Sequence, residues 1–203
     1  MGWVQSASSL LIGLSCCLVS AAGQDGPSLT MFVYTAVGKD TLIKAEAASS
    51  RILQCAGVQL IWRNCGPDDR CQPAPDSEPV LLRIVKETRG GLGCSLVSQA
   101  GGIHAVIGFE NIRKLAALSR ISESQVLGAV MAHKVGHLLL GPAHSTNGLM
   151  RSNWDVHDLC RLDQGQLRFD LDQCRRIRAA ALARSRCDRS IGKTTALSPS
   201  QLG

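Results

Sequence analysis

Apolar positions recur along this chain in two rhythms. Leu29–Val37 (LTMFVYTAV), Val58–Trp62, Val80–Val85 (VLLRIV) and Ile103–Phe109 are short apolar runs of strand length, whereas Thr41–Ala56 places Leu42, Ala45, Ile52, Leu53 and Ala56 at helical spacing. Between them, Cys65–Glu78 is rich in Pro, Asp and Gly and reads as a loop, and Gly90–Gly102 reads as a glycine-rich connection. Asn111–Leu118 predicts a short helix. A longer one opens at Ser122, which stands three residues before Gln125 in a capping-box spacing, and runs to Leu140 with Gly141 as its stop. An irregular stretch to Met150 follows, then a small helix over Asp155–Leu162 and a last helix over Leu171–Ser185, where Asp170 and Gln173 repeat the capping spacing. Strands early and helices late predict an α+β domain, and no internal repeat interrupts the pattern.

Composition narrows the picture. The chain has 203 residues, 45% of them hydrophobic and 19% charged, which suits one packed domain. Aromatic residues are only 3% of the chain, too few to form the stacking platforms of single-strand nucleic-acid binders. The net charge of +6 is local: Arg175, Arg176, Arg178, Arg184, Arg186, Arg189 and Lys193 face Asp188 alone, and the rest of the chain is balanced. As a solvated helix face running into a Ser/Thr-rich tail, this segment needs no partner. As a contact for an anionic lipid or cell-wall surface, it would bind in a salt-sensitive way.

Leu10–Ala22 (LLIGLSCCLVSAA) is an apolar run followed by small residues, the form of a secretory leader, although Met1–Ser9 carries no Lys or Arg. At about 13 residues the run is too short to span a bilayer, and a buried N-terminal helix is the competing reading. The expected organisation is therefore a signal peptide over residues 1–22, a domain over 23–185 and a basic, flexible tail over 186–203, in a secreted or periplasmic protein. Seven cysteines lie beyond the leader: Cys55, Cys65, Cys71, Cys94, Cys160, Cys174 and Cys187. None forms a CxxC pair, so in an exported protein they read as disulfide candidates rather than a metal cluster. Cys65 and Cys71, flanking the polar loop CGPDDRC, are the best candidate bridge, and the odd total leaves at least one thiol unpaired.

Four of the five histidines fall between residues 133 and 157. His133 and His137, four apart on the predicted long helix, are offset by about 40° and project from one face, so both imidazoles can reach one ion. Gly141 lets the chain leave the helix, His144 lies where a turning backbone can add a third imidazole, and Gly148-Leu149-Met150 can pass beneath as an apolar floor. The stretch from Ala132 to Met150, AHKVGHLLLGPAHSTNGLM, resembles the zincin metallopeptidases, and among them the metzincin pattern HExxHxxGxxH followed by a Met-containing turn. It is also similar to the zinc-site segment of small exported bacterial proteins of that type. The resemblance implies a zincin-like single domain with a mixed sheet of about four strands, a long active-site helix and a mainly helical C-terminal part. It further implies Zn²⁺ held by His133, His137 and His144, with a peptide or protein substrate if the chain is active.

Two departures separate the chain from that pattern. His137 to His144 spans seven residues, one more than in metzincins, which makes His157 a reserve ligand. Where the family has its catalytic Glu, this chain has Lys134. In zincins that Glu takes a proton from the attacking water, and an ammonium has no lone pair with which to do so. Repulsion between Lys134 and a dication a few Å away is on the order of several kcal/mol at an effective dielectric near 20, which favours rotating the lysine out to water or weakens the metal. Three readings follow: a zinc-binding but hydrolytically impaired relative, an active peptidase with another base or a neutral Lys134, and a metal-free remnant. Glu110, Glu123 and Asp155 are the acidic residues nearest in sequence as substitute bases. His104 reads as a surface or hydrogen-bonded strand histidine, and Trp154 as packing for the last helices against the core.

Overall fold

The computed structural model describes residues 26–66, 71, 80–99 and 101–194, with side chains described through Ser185. The expected leader, most of the Cys65–Glu78 loop and the last nine residues lie outside that set. The elements are β1 (Ser28–Thr35), α1 (Lys39–Leu53) with a 3₁₀ turn (Gln54–Ala56), β2 (Gln59–Cys65), β3 (Val80–Val85), β4 (Gly93–Ser98), β5 (Gly101–Gly108), α2 (Phe109–Ser119), α3 (Glu123–Leu140), α4 (Val156–Asp163) and α5 (Leu171–Thr194). This is an α+β domain, as the apolar rhythms predict. Among the described residues, no helix is long and apolar enough to cross a membrane.

The sheet order is β2-β1-β3-β5-β4, all parallel except β4, which pairs antiparallel with β5 at one edge. Leu29, Met31 and Val33 of β1, Val80, Leu82 and Ile84 of β3, and Ala105 and Ile107 of β5 alternate onto one buried face, because side chains along a strand alternate sides. Helix α3 lies in the core on that side. Its residues Val126 to Leu139 are all buried, so the helix has no solvent stripe and its polar members must answer to neighbours rather than water.

The mixed sheet has five strands, one more than the four apolar runs of the sequence. The extra strand, β4, falls in the stretch read as a glycine-rich connection. Its alternation sets Gly93, Ser95 and Val97 against Cys94, Leu96 and Ser98, and neither face is apolar enough to announce a strand. Pairing with β5, which begins two residues earlier than its apolar run, is what makes it one.

Among the described residues there are two disulfides. Cys65–Cys71 is the bridge expected from the loop, and Cys55–Cys174 ties the turn after α1 to α5 across 119 residues of sequence. Cys94 and Cys160 are free and exposed. The basic C-terminal helix is more than a solvated face. Arg184 donates to the carbonyls of Leu138 (2.8 Å) and Gly102 (2.7 Å), Arg176 to that of Leu140 (3.5 Å) and Arg178 to that of Ala56 (3.4 Å). Two of these arginines therefore satisfy carbonyls in the last turn of α3, where cations also oppose the helix dipole.

Within α1, Glu46 is buried with one carboxylate oxygen lacking any hydrogen-bond partner in the described structure, and burial holds its pKa above the ordinary carboxylate value. A carboxyl raised in the fold stays protonated more readily there than in the unfolded chain, so its ionisation destabilises the protein as pH rises past the unfolded value. Glu46→Gln is therefore expected to stabilise the protein by about 1 kcal/mol at pH 7.5 and by less near pH 4, read from denaturant midpoints at both values.

Candidate metal centre

Helix α3 supplies the first two histidines. His133 and His137 are buried one turn apart, and their Nε2 atoms lie 3.0 Å from each other. Gly141, with φ +92°, ends the helix in a conformation that favours glycine and turns the chain back past the site. His144, on the following segment and more exposed, brings its own Nε2 to 3.2 Å from that of His137. One nitrogen from each of the three rings lies within 4.8 Å of the other two. The seven-residue interval thus reaches the same point despite the extra residue.

The backbone sets the tautomers. His133 Nδ1 is 2.7 Å from the carbonyl oxygen of Leu149, and His137 Nδ1 is 3.0 Å from that of Gly141. A carbonyl oxygen only accepts, so each Nδ1 carries the proton and donates it, and each neutral ring is left with a lone pair on Nε2. Burial pushes His133 down to about 3 against the pull of the Leu149 carbonyl, with lesser contributions from His137, Lys134 and His144, and burial also lowers His137. Two neutral rings with their lone pairs 3.0 Å apart repel. A cation placed between them would remove the repulsion, and the Nδ1 bonds hold the rings in the orientation that ligands to such an ion need. The donor set of three imidazole nitrogens suits Zn²⁺ by its chemistry.

The floor expected from Gly148-Leu149-Met150 lies beneath this cluster. Met150 is buried against α3, and a side chain at Gly136 would meet the Met150 sulfur at 2.6 Å and the Phe169 ring at 2.8 Å. Gly136 is therefore the gap through which the floor approaches the helix between His133 and His137. The turn is held by Ser145 N–H donating to the Met150 carbonyl (2.9 Å) and Leu149 N–H donating to that of Arg168 (3.0 Å). Trp154 does more than pack helices: its Nε1 donates to the Leu149 carbonyl (3.1 Å), and its ring stands edge-on to His133 with centroids 6.1 Å apart.

Lys134 does not rotate out to water. It is buried at 8% exposure, and its Nζ donates to the Gly93 carbonyl on β4 at 2.9 Å. Burial lowers its pKa, opposed by electrostatic attraction to the Cys94 side chain. Gly93 and Cys94 carry no signal of this role in the sequence, because only the antiparallel β4 edge brings them to the helix.

A cleft of about 500 Å³ opens between β4, α3 and the segment from Pro142 to Trp154, with all three histidines and Lys134 on its wall. Among the described residues, no Asp or Glu lines it. The substitute bases are employed elsewhere. Glu110 and Glu123 both pair with Arg113. Asp155 caps α4, and its hydrogen bond with Arg151 holds it down to about 2, far from a proton acceptor at neutral pH. His157 is exposed on α4 and outside the cluster, while His104 sits in β5 between Leu81 and Leu96.

No protein-family model matches the chain, and no curated protein matches it. Among solved structures, archaemetzincin from Methanopyrus kandleri is similar with a TM-score of 0.49 and 14% sequence identity, the match covering 79% of this chain and 98% of that one.

Proposed function

We propose that this chain is an exported zinc-binding protein on a metallopeptidase-like scaffold, with peptide-bond hydrolysis impaired by Lys134. The observation that carries the reading is the convergence of three imidazole Nε2 atoms in a cleft without a described carboxylate. His133, His137 and His144 would hold the ion, whose chemistry when bound is to polarise a carbonyl and acidify water. The chain's own residues supply the rest of the site: the Leu149 and Gly141 carbonyls orient the two helical rings, Met150 closes the floor, and β4 forms one wall.

Among the described residues, no carboxylate lines the cleft to accept a proton from water. Lys134 occupies the position next to the first ligand and spends a donor on Gly93, and as an ammonium it has no lone pair to offer. Two disulfides support export to an oxidising compartment. The alternative within the same geometry is a non-catalytic interaction protein that keeps the ion.

The test measures bound zinc and casein cleavage for the wild type and for Lys134→Glu. Zinc in both proteins with cleavage in the variant alone is the expected result. A carboxylate restored at this position is expected to raise cleavage by roughly 100-fold or more, the range over which a positioned general base acts. Cleavage by the wild type at the variant's rate overturns the impairment, and absence of zinc from both overturns the metal assignment.

A further inference from the structure

We propose that the cleft is a binding site for a carboxylate, with Lys134 as the cation that selects it. This deepens the reading above by naming a ligand class for the same site. The ammonium of Lys134 has three N–H donors, and the described structure gives it one hydrogen bond, to the Gly93 carbonyl. With 8% exposure, the side chain has little access to bulk water. No acidic side chain of the described cleft stands ready to neutralise it.

The other cation on the wall, Arg151, is paired with two carboxylates, Asp155 and Asp158, neither of which lines the cleft, so it contributes no surplus positive charge. Lys134 and a bound ion together would leave the cleft positive, with the Cys94 thiol on the same wall but no described carboxylate facing them. A buried charge is stable only when paired and hydrogen-bonded, and a carboxylate supplies one negative charge and two acceptor oxygens. A phosphate dianion would call for more donors, commonly a free guanidinium fork, and Arg151 is already engaged. The cleft volume of about 500 Å³ accommodates a small acid or the last residues of a peptide. A free acid and a peptide C-terminus present the same group.

The test is calorimetric titration of the full chain, zinc-saturated and zinc-free, with acetate, with acetyl-Ala-Ala-Ala as the free acid, and with the same peptide as its C-terminal amide. The free acid is expected to bind at least about tenfold more tightly than the amide, and Lys134→Met to remove that difference while leaving zinc content unchanged. Acetate binding as tightly as the peptide assigns a small acid, and tighter binding of the peptide assigns a chain terminus. Equal binding of acid and amide by the wild type, no binding of either, or an unchanged preference in Lys134→Met overturns the proposal. Zinc is counted on the same samples. A chain without zinc that still prefers the acid through Lys134 upholds the carboxylate site and separates its fate from that of the metal.

Discussion

Zinc affinity is expected to fall at least about 100-fold when His137 is replaced by alanine, measured by competition with a chromogenic chelator and by metal content after dialysis. His137 is the middle member of the cluster, its Nε2 lying 3.0 Å from that of His133 and 3.2 Å from that of His144, so its loss leaves two rings with no nitrogen between them. Retention of one zinc per chain at wild-type affinity in this variant would refute the three-histidine centre.

Acid should act in the same direction. Because burial depresses His133 to about 3, the folded zinc-free chain refuses a proton that the unfolded chain accepts near pH 6.5. The stability associated with neutral His133 is therefore present above about pH 6.5 and is lost progressively as pH falls towards 3. Zinc, which requires neutral imidazoles, is expected to steepen that decline. Denaturant titrations with and without zinc at pH 7.5, 5.5 and 4 read both slopes.

Removing the long-range disulfide through Cys174→Ala is expected to destabilise the chain by about 4 kcal/mol, a fall in Tm of roughly 10 °C. The bridge closes a loop of 119 residues and holds α5 against the turn after α1. From that helix Arg184 and Arg176 reach the last carbonyls of α3, the end that carries His137 and the Gly141 turn. Zinc affinity measured well below the lowered Tm is expected to change little, since the ligands' own Nδ1 bonds remain. A thermal scan that superimposes on the wild type would show that α5 is held by packing and its arginines alone.

The local parts of this site are legible in the chain because they depend on spacing. Ser122 caps α3 by accepting from the Gln125 N–H, and Gly141 ends that helix as its composition predicts. His133 and His137 share a face because they are four residues apart. The Cys65–Cys71 bridge follows from the short loop between the two residues. Partners distant in sequence were not legible. Cys55 and Cys174 carry no mark of one another, and β4 lacks an apolar face because it is an edge strand whose partner decides its existence.

Lys134 shows the division most sharply. A charge next to a metal-ligand position reads as a group that should turn outward, yet the β4 edge offers the Gly93 carbonyl within reach of its stem, and the side chain stays inside. Helix spacing, caps and the three-histidine pattern belong to the sequence, because each is set by residues within a turn or two of one another. The ring tautomers, the Met150 floor, the carboxylate-poor wall and the fate of Lys134 belong to the tertiary structure, because each depends on which carbonyl or side chain a remote segment brings to α3.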